Sequence, residues 1–119
     1  MSRRWLAALL WAAVILAATS IPGRSLPTAA VGVDKLVHLG SYGVLGLLVG
    51  RARNGAARGV HWGTVRWALA LALFGLLDEW HQDLIPGRFS DRHDWIADVV
   101  GATLGLVAAS TPFRSEQRT

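Results

Sequence analysis

The chain of 119 residues contains no cysteine, which excludes disulfides, thiol nucleophiles and thiolate metal centres and leaves the redox compartment open. Acidic residues are also few: 8 Asp and Glu stand against 12 Lys and Arg, for a formal charge of +4 and an isoelectric point near 11.1. Such a balance suits nucleic acid only when the basic residues form one solvated face. Here they fall in short groups between apolar runs, so nucleic acid is not an expected partner. There is no repeat period and no low-complexity tract. What remains is apolar: 52% of residues are hydrophobic and the mean hydropathy is +0.36, richer than a typical soluble domain of this size. The length leaves room for one domain, residues 1–119. The leading fold class is all-α, a small polytopic membrane protein built as a four-transmembrane-helix bundle.

Apolar runs and their breaks predict helices over about 4–21, 34–50, 62–80 and 91–110. The first run ends at TSIPG (residues 19–23), where proline and glycine stop a helix. Its basic start and the small residues near its end also describe a secretory signal peptide. The bulky Trp5 and Trp11, and the extension to Ile21, favour a retained span. The second run opens with Asp34 and Lys35. Asp34, His38 and Tyr42 follow at i, i+4 and i+8 and share one face, while Gly40, Gly43, Gly46 and Gly50 let another backbone approach. A basic connector at 51–58 leads to the third run, which ends in Asp78 and Glu79. Ser90 reads as the N-cap of the fourth helix, with Asp91 and Asp94 in its first turn, where the helix dipole favours negative charge. Ala97, Gly101, Gly105 and Ala109 then form a small-residue stripe, and Thr111-Pro112 ends the helix.

Four spans also predict an orientation. With the N-terminus cytoplasmic, Arg3, Arg4, Arg51, Arg53, Arg58, Arg66, Arg114 and Arg118 fall inside, and Arg24, Lys35, Arg88 and Arg92 outside. That is the asymmetry of the positive-inside rule, and it places both termini in the cytoplasm. Among the acids, Glu116 alone falls inside. The basicity therefore reads as an anchor to anionic inner-leaflet lipid.

Three helix ends converge on the outer side in this arrangement. His38, Asp78 and Asp94 are the candidates for acid–base chemistry, and Asp34, Lys35, Tyr42, Glu79, Gln82, Arg88, Asp91 and Asp98 the candidates for binding. Asp98 lies roughly 10–12 Å along the fourth helix from Ser90. An unpaired charge at that depth is costly, so it should face the bundle, paired or protonated. Adjacent residues on a helix point about 100° apart, which favours Asp78 inward with Gln82 and leaves Glu79 interfacial. His81 and His93 read as solvated. The segment from Ile85 to Arg88 reads as a tight turn presenting Arg88, whose fork can grip a carboxylate or a phosphate. Metal-ligand types are present in His38, Asp78, Asp94 and Asp98, but no HExxH-like spacing accompanies them, and neither metal nor cofactor is expected. The bland alternative is a polar cluster that only locks four helices together.

The segments DKLVHLGSYGVLG (residues 34–46) and DEWHQDLIPGRFSDRHDWIADVVGA (residues 78–102) resemble, in order, spacing and chemistry, the VanZ-like family of bacterial membrane proteins. The resemblance covers roughly residues 34–105. Asp98 departs from it, since relatives often carry asparagine there. The resemblance implies a small multi-pass protein of the bacterial plasma membrane, and its namesake is associated with low-level resistance to the glycopeptide teicoplanin. It brings no settled reaction with it. The expected partners are membrane lipids and a lipid-linked or cell-wall intermediate, bound or modified at the outer-face cluster.

Overall fold

A computed structural model describes residues 1–23, 32–53 and 62–110. The connector around Arg58, the segment holding Arg24, and the tail with Thr111-Pro112, Arg114, Glu116 and Arg118 lie outside the described residues. The remainder is all-helical: α1 (Arg3–Thr19), α2 (Val33–Arg53), α3 (Trp62–Gln82) and α4 (Arg92–Ala109).

The helices alternate in direction, which sorts their charges to opposite ends. At one end Arg4 donates to the Arg51 carbonyl at 3.3 Å, Trp5 packs on Trp67 with ring centroids 5.2 Å apart, and Arg53 reaches Thr64. At the other end Thr19 meets Asp78 and Lys35 meets Asp94. Arg3, Arg4, Arg51 and Arg53 thus gather at the first end, while every described carboxylate, with Lys35, Arg88 and Arg92, lies toward the second.

Capping explains where the helices start. Ser2 caps α1 by accepting from the Trp5 amide, and Asp91 caps α4 by accepting from His93. The expected cap of α4, Ser90, is engaged elsewhere: its amide and hydroxyl both donate to Asp83, at 2.8 and 2.9 Å. The shorter Asx geometry at Asp91 therefore sets the first turn. α1 stops at Thr19, two residues before the expected Ile21, because a residue ahead of Pro22 is driven out of the helical region. α2 and α3 run past their expected ends, to Arg53 and Gln82.

The centre of the bundle is the α2–α4 pair, the most extensive contact in the fold. Glycine makes it close. A Cβ on Gly46 would strike the Ala102 carbonyl, and one on Gly105 would strike the Gly43 carbonyl and lie 2.6 Å from the Leu47 amide nitrogen. The small-residue stripe of α4 therefore packs on the glycine face of α2, backbone to backbone. Leu45, Val49, Ala102 and Leu106 fill the seam, and Ile15 and Leu71 extend it to α1 and α3. The outward faces are apolar too, with Leu10 at 59%, Leu69 at 66% and Leu104 at 60% exposure.

Among the described residues, no helix is long and apolar enough to cross a membrane. α1 has 17 residues. α2 carries Asp34, Lys35, Arg51 and Arg53; α3 carries Arg66, Asp78 and Glu79; α4 carries Arg92, Asp94 and Asp98. The expected all-α, four-helix architecture is present, but a transmembrane character does not follow from the length and apolarity of the helices alone.

Candidate functional site

The acidic end holds two groups of carboxylates, arranged by three helices. The outer group surrounds Lys35, in the first turns of α2. Its ammonium lies 3.0 Å from Asp34, 2.8 Å from Asp91 and 2.5 Å from Asp94. The Lys35 ammonium beside Asp91, aided by the His93 amide, holds that carboxyl down to about 2. Asp34 is exposed, Asp91 half-exposed and Asp94 nearly buried, so the group runs from solvent inward along one lysine.

The inner group is Asp78, Glu79 and Asp98, which are 1%, 4% and 0% exposed. Asp78 accepts from the Thr19 hydroxyl at 2.7 Å and the Tyr42 hydroxyl at 2.9 Å, one on each carboxylate oxygen. Glu79 accepts from the Gln82 side-chain amide at 3.2 Å and from the Asp91 backbone amide at 3.1 Å. Asp98 places Oδ1 2.7 Å from His38 Nδ1, while its Oδ2 has no hydrogen-bond partner. His38 stands between the groups, with Nε2 3.6 Å from Asp94 and Nδ1 3.9 Å from Glu79. Among the described residues no lysine or arginine pairs with any of the inner carboxylates.

A cavity of about 350 Å³ opens between α1 and α2 beside this cluster. Ile15, Ala18, Ile21, Val33 and Val37 give it apolar walls, and His38, Tyr42, Asp78 and Arg88 line its polar part. One opening therefore presents grease and charge together.

The VanZ/LLP1 family model matches residues 4–113, nearly the whole chain. The chain belongs to the VanZ/LLP1 family. Neither a curated protein nor a solved structure matches it.

Within this family member, His38 and Tyr42 turn toward the other helices and meet Asp98 and Asp78, while Asp34, on the same face but at the exposed start of α2, accepts from its neighbour Lys35. Asp78 is inward as expected, but Glu79 is buried beside it instead of interfacial. α4 covers one residue and α1 with α2 the other, so two neighbours about 100° apart both find an interior. Gln82 bonds Glu79, one turn back, and not Asp78. Asp91, Asp94 and Asp98 share a face of α4, yet the first two go to Lys35 and the third to His38. Arg88 sits in the expected turn, whose Gly87 has φ +74°. Its guanidinium donates to the Ala18 carbonyl at 2.7 Å, the Ile21 carbonyl at 2.9 Å and Gln82 at 3.5 Å. Rather than gripping a carboxylate, it ties the loop to carbonyls at and just past the end of α1, where a cation is favoured. His93 is solvated as read, and His81 touches Ser20 at 3.0 Å from the last turn of α3.

Two contributors have no clear mark in the sequence. Thr19 looked like part of a helix stop, and only the packing of α1 on α3 carries its hydroxyl to Asp78. Gly75 faces Asp98: a Cβ there would come within 3.3 Å of the Asp98 Cβ and 3.4 Å of Oδ2. Its spacing four residues before Glu79 is the one available hint.

Proposed function

We propose that this VanZ/LLP1 protein sits in the bacterial plasma membrane with its acidic end on the outer side and both termini cytoplasmic, and that it binds or modifies a lipid headgroup or lipid-linked envelope component there. The observation that carries the proposal is the α1–α2 cavity, whose apolar walls lead to His38, Tyr42 and Asp78. An amphiphile with an acyl chain and a polar head matches that lining. Lipid surroundings are supported by the apolar outward faces, since large exposed apolar areas mark contact with protein or membrane. The inner charges that lower the apolarity of α3 and α4 are turned into the bundle, which is where membrane helices keep them. A helix of 21 residues such as α2 or α3 is roughly 32 Å long, close to the hydrocarbon thickness of about 30 Å.

In this reading His38 and Asp78, which line the cavity, do acid–base work on a bound headgroup, with Asp94 beside His38, and the family link makes glycopeptide susceptibility the phenotype to examine. A second reading, a non-enzymatic protein whose cluster locks the helices, is favoured by one observation: Asp78 and Glu79 already have partners on every carboxylate oxygen.

Mass-spectrometric profiling of lipids and envelope precursors, in cells with and without the protein, separates the two readings. One class of lipid or precursor should change with the wild-type protein and revert with His38→Ala and Asp78→Asn at unchanged protein abundance. An unchanged profile, or losses that only follow a fall in abundance, would leave the structural reading standing.

A further inference from the structure

The inner carboxylates are more deeply buried than their partners explain. Asp98 is fully buried, and its carboxylate is aimed into the cluster with Oδ1 on His38 and Oδ2 on nothing. A buried carboxylate oxygen without a partner forfeits its hydration with no return. Glu79 lies beside it, also buried, and neither has a lysine or arginine ion pair among the described residues. Two acids around a single imidazole leave an excess of negative charge in a low-dielectric interior, which needs a cation or a proton. Gly75 keeps open the space next to Oδ2, which a Cβ would narrow to about van der Waals contact.

We infer that His38, Glu79 and Asp98 form a binding site for one divalent transition cation, of the Mn²⁺ or Zn²⁺ type. One ligand atom from each residue lies within 4.8 Å of the others. Bonds of about 2.0–2.2 Å place ligand atoms roughly 3–4.4 Å apart, so closing the set requires shifts of a few tenths of an ångström. Mixed imidazole and carboxylate donors select these cations over Ca²⁺, which takes oxygen alone.

The surroundings have the form that metal-binding histidines show. With Nδ1 turned to the ion, the proton of His38 sits on Nε2, which faces Asp94 at 3.6 Å. A carboxylate on the far ring nitrogen fixes the tautomer and raises the basicity of the ligand. Asp94 is itself held by Lys35, and Glu79 Oε2 by the Asp91 amide; Glu79 Oε1, which accepts from Gln82 at 3.2 Å, has a second lone pair for the ion. Asp94 and Lys35 are therefore positioning residues for the site.

The test uses the full chain purified in detergent and stripped with a chelator, titrated calorimetrically with Mn²⁺ or Zn²⁺ alone. One equivalent should bind and raise the thermal midpoint. Glu79→Gln and Asp98→Asn should each weaken binding at least tenfold, the scale of change seen when a metal site loses part of its support. Asp83→Asn, outside the cluster, should bind as the wild type does. Pulsed electron paramagnetic resonance of the Mn²⁺-loaded wild type should show coupling to an imidazole nitrogen, a reading that needs no variant to fold. Absence of saturable binding, equal affinity in both variants, or no nitrogen coupling would overturn the site. So would an Asp98→Asn protein that gains stability while the wild type ignores both cations, which is the result expected of a shared proton.

Discussion

The two carboxylate groups at the acidic end differ in what compensates them. The outer acids, Asp34, Asp91 and Asp94, converge on the single ammonium of Lys35 and keep some access to solvent. The inner acids, Asp78, Glu79 and Asp98, are buried and are met by hydroxyls, amides and one imidazole. Solvent reaches Asp34, Asp91 and the partly exposed Lys35, so those pairs contribute little to stability, and Asp94 is the one buried acid of the group. Nothing screens the inner group, so every missing partner is costly. The difference separates a charge balance that tolerates change from a polar interior that depends on particular atoms.

The largest effect should come from the inner group. Tyr42→Phe removes one donor from Asp78 and leaves a buried carboxylate oxygen bare. The expected loss is about 1.5–3 kcal/mol, read as a lower thermal midpoint in detergent. A loss no larger than that of the outer variants would erase the contrast.

Lys35→Met should cost less, about 1 kcal/mol or below, because Lys35 is itself partly exposed. Its clearer signature is in acid titration. Asp91 has its carboxyl held down to about 2 by Lys35, against an ordinary value near 3.9. The stability it contributes is complete above pH of about 4 and is lost as pH falls through about 2. Lys35→Met should return the Asp91 titration, followed by carboxyl-carbon magnetic resonance, toward the ordinary value. No movement would assign the depression to the His93 amide instead.

Asp83→Ala should have the smallest effect, about 0.5 kcal/mol, since it is exposed and bonds only Ser90. The lipid profile expected under the functional proposal should not change. A large effect there would extend the sensitive region beyond the buried acids.

Which residues cluster at the candidate site was largely legible in the chain. Helical spacing puts Asp34, His38 and Tyr42 on one face, and polar residues crowd where apolar runs end. Partners were less so. Spacing along α3 pairs Asp78 with Gln82, yet the glutamine turns to Glu79, and Asp78 takes its donors from α1 and α2. Arg88 has the chemistry to grip an acid, but the Ala18 and Ile21 carbonyls where α1 ends take its donors instead.

By itself, the sequence determined four helices, their glycine-lined contact faces and the gathering of the acids at one end, because those follow from local periodicity and from where the chain must turn. Only the tertiary structure decided which acids are buried, which hydroxyl reaches Asp78 and which oxygen of Asp98 is left without a partner. Those depend on distances between helices far apart in the chain, set by how closely Gly43, Gly46, Gly101 and Gly105 let α2 and α4 approach.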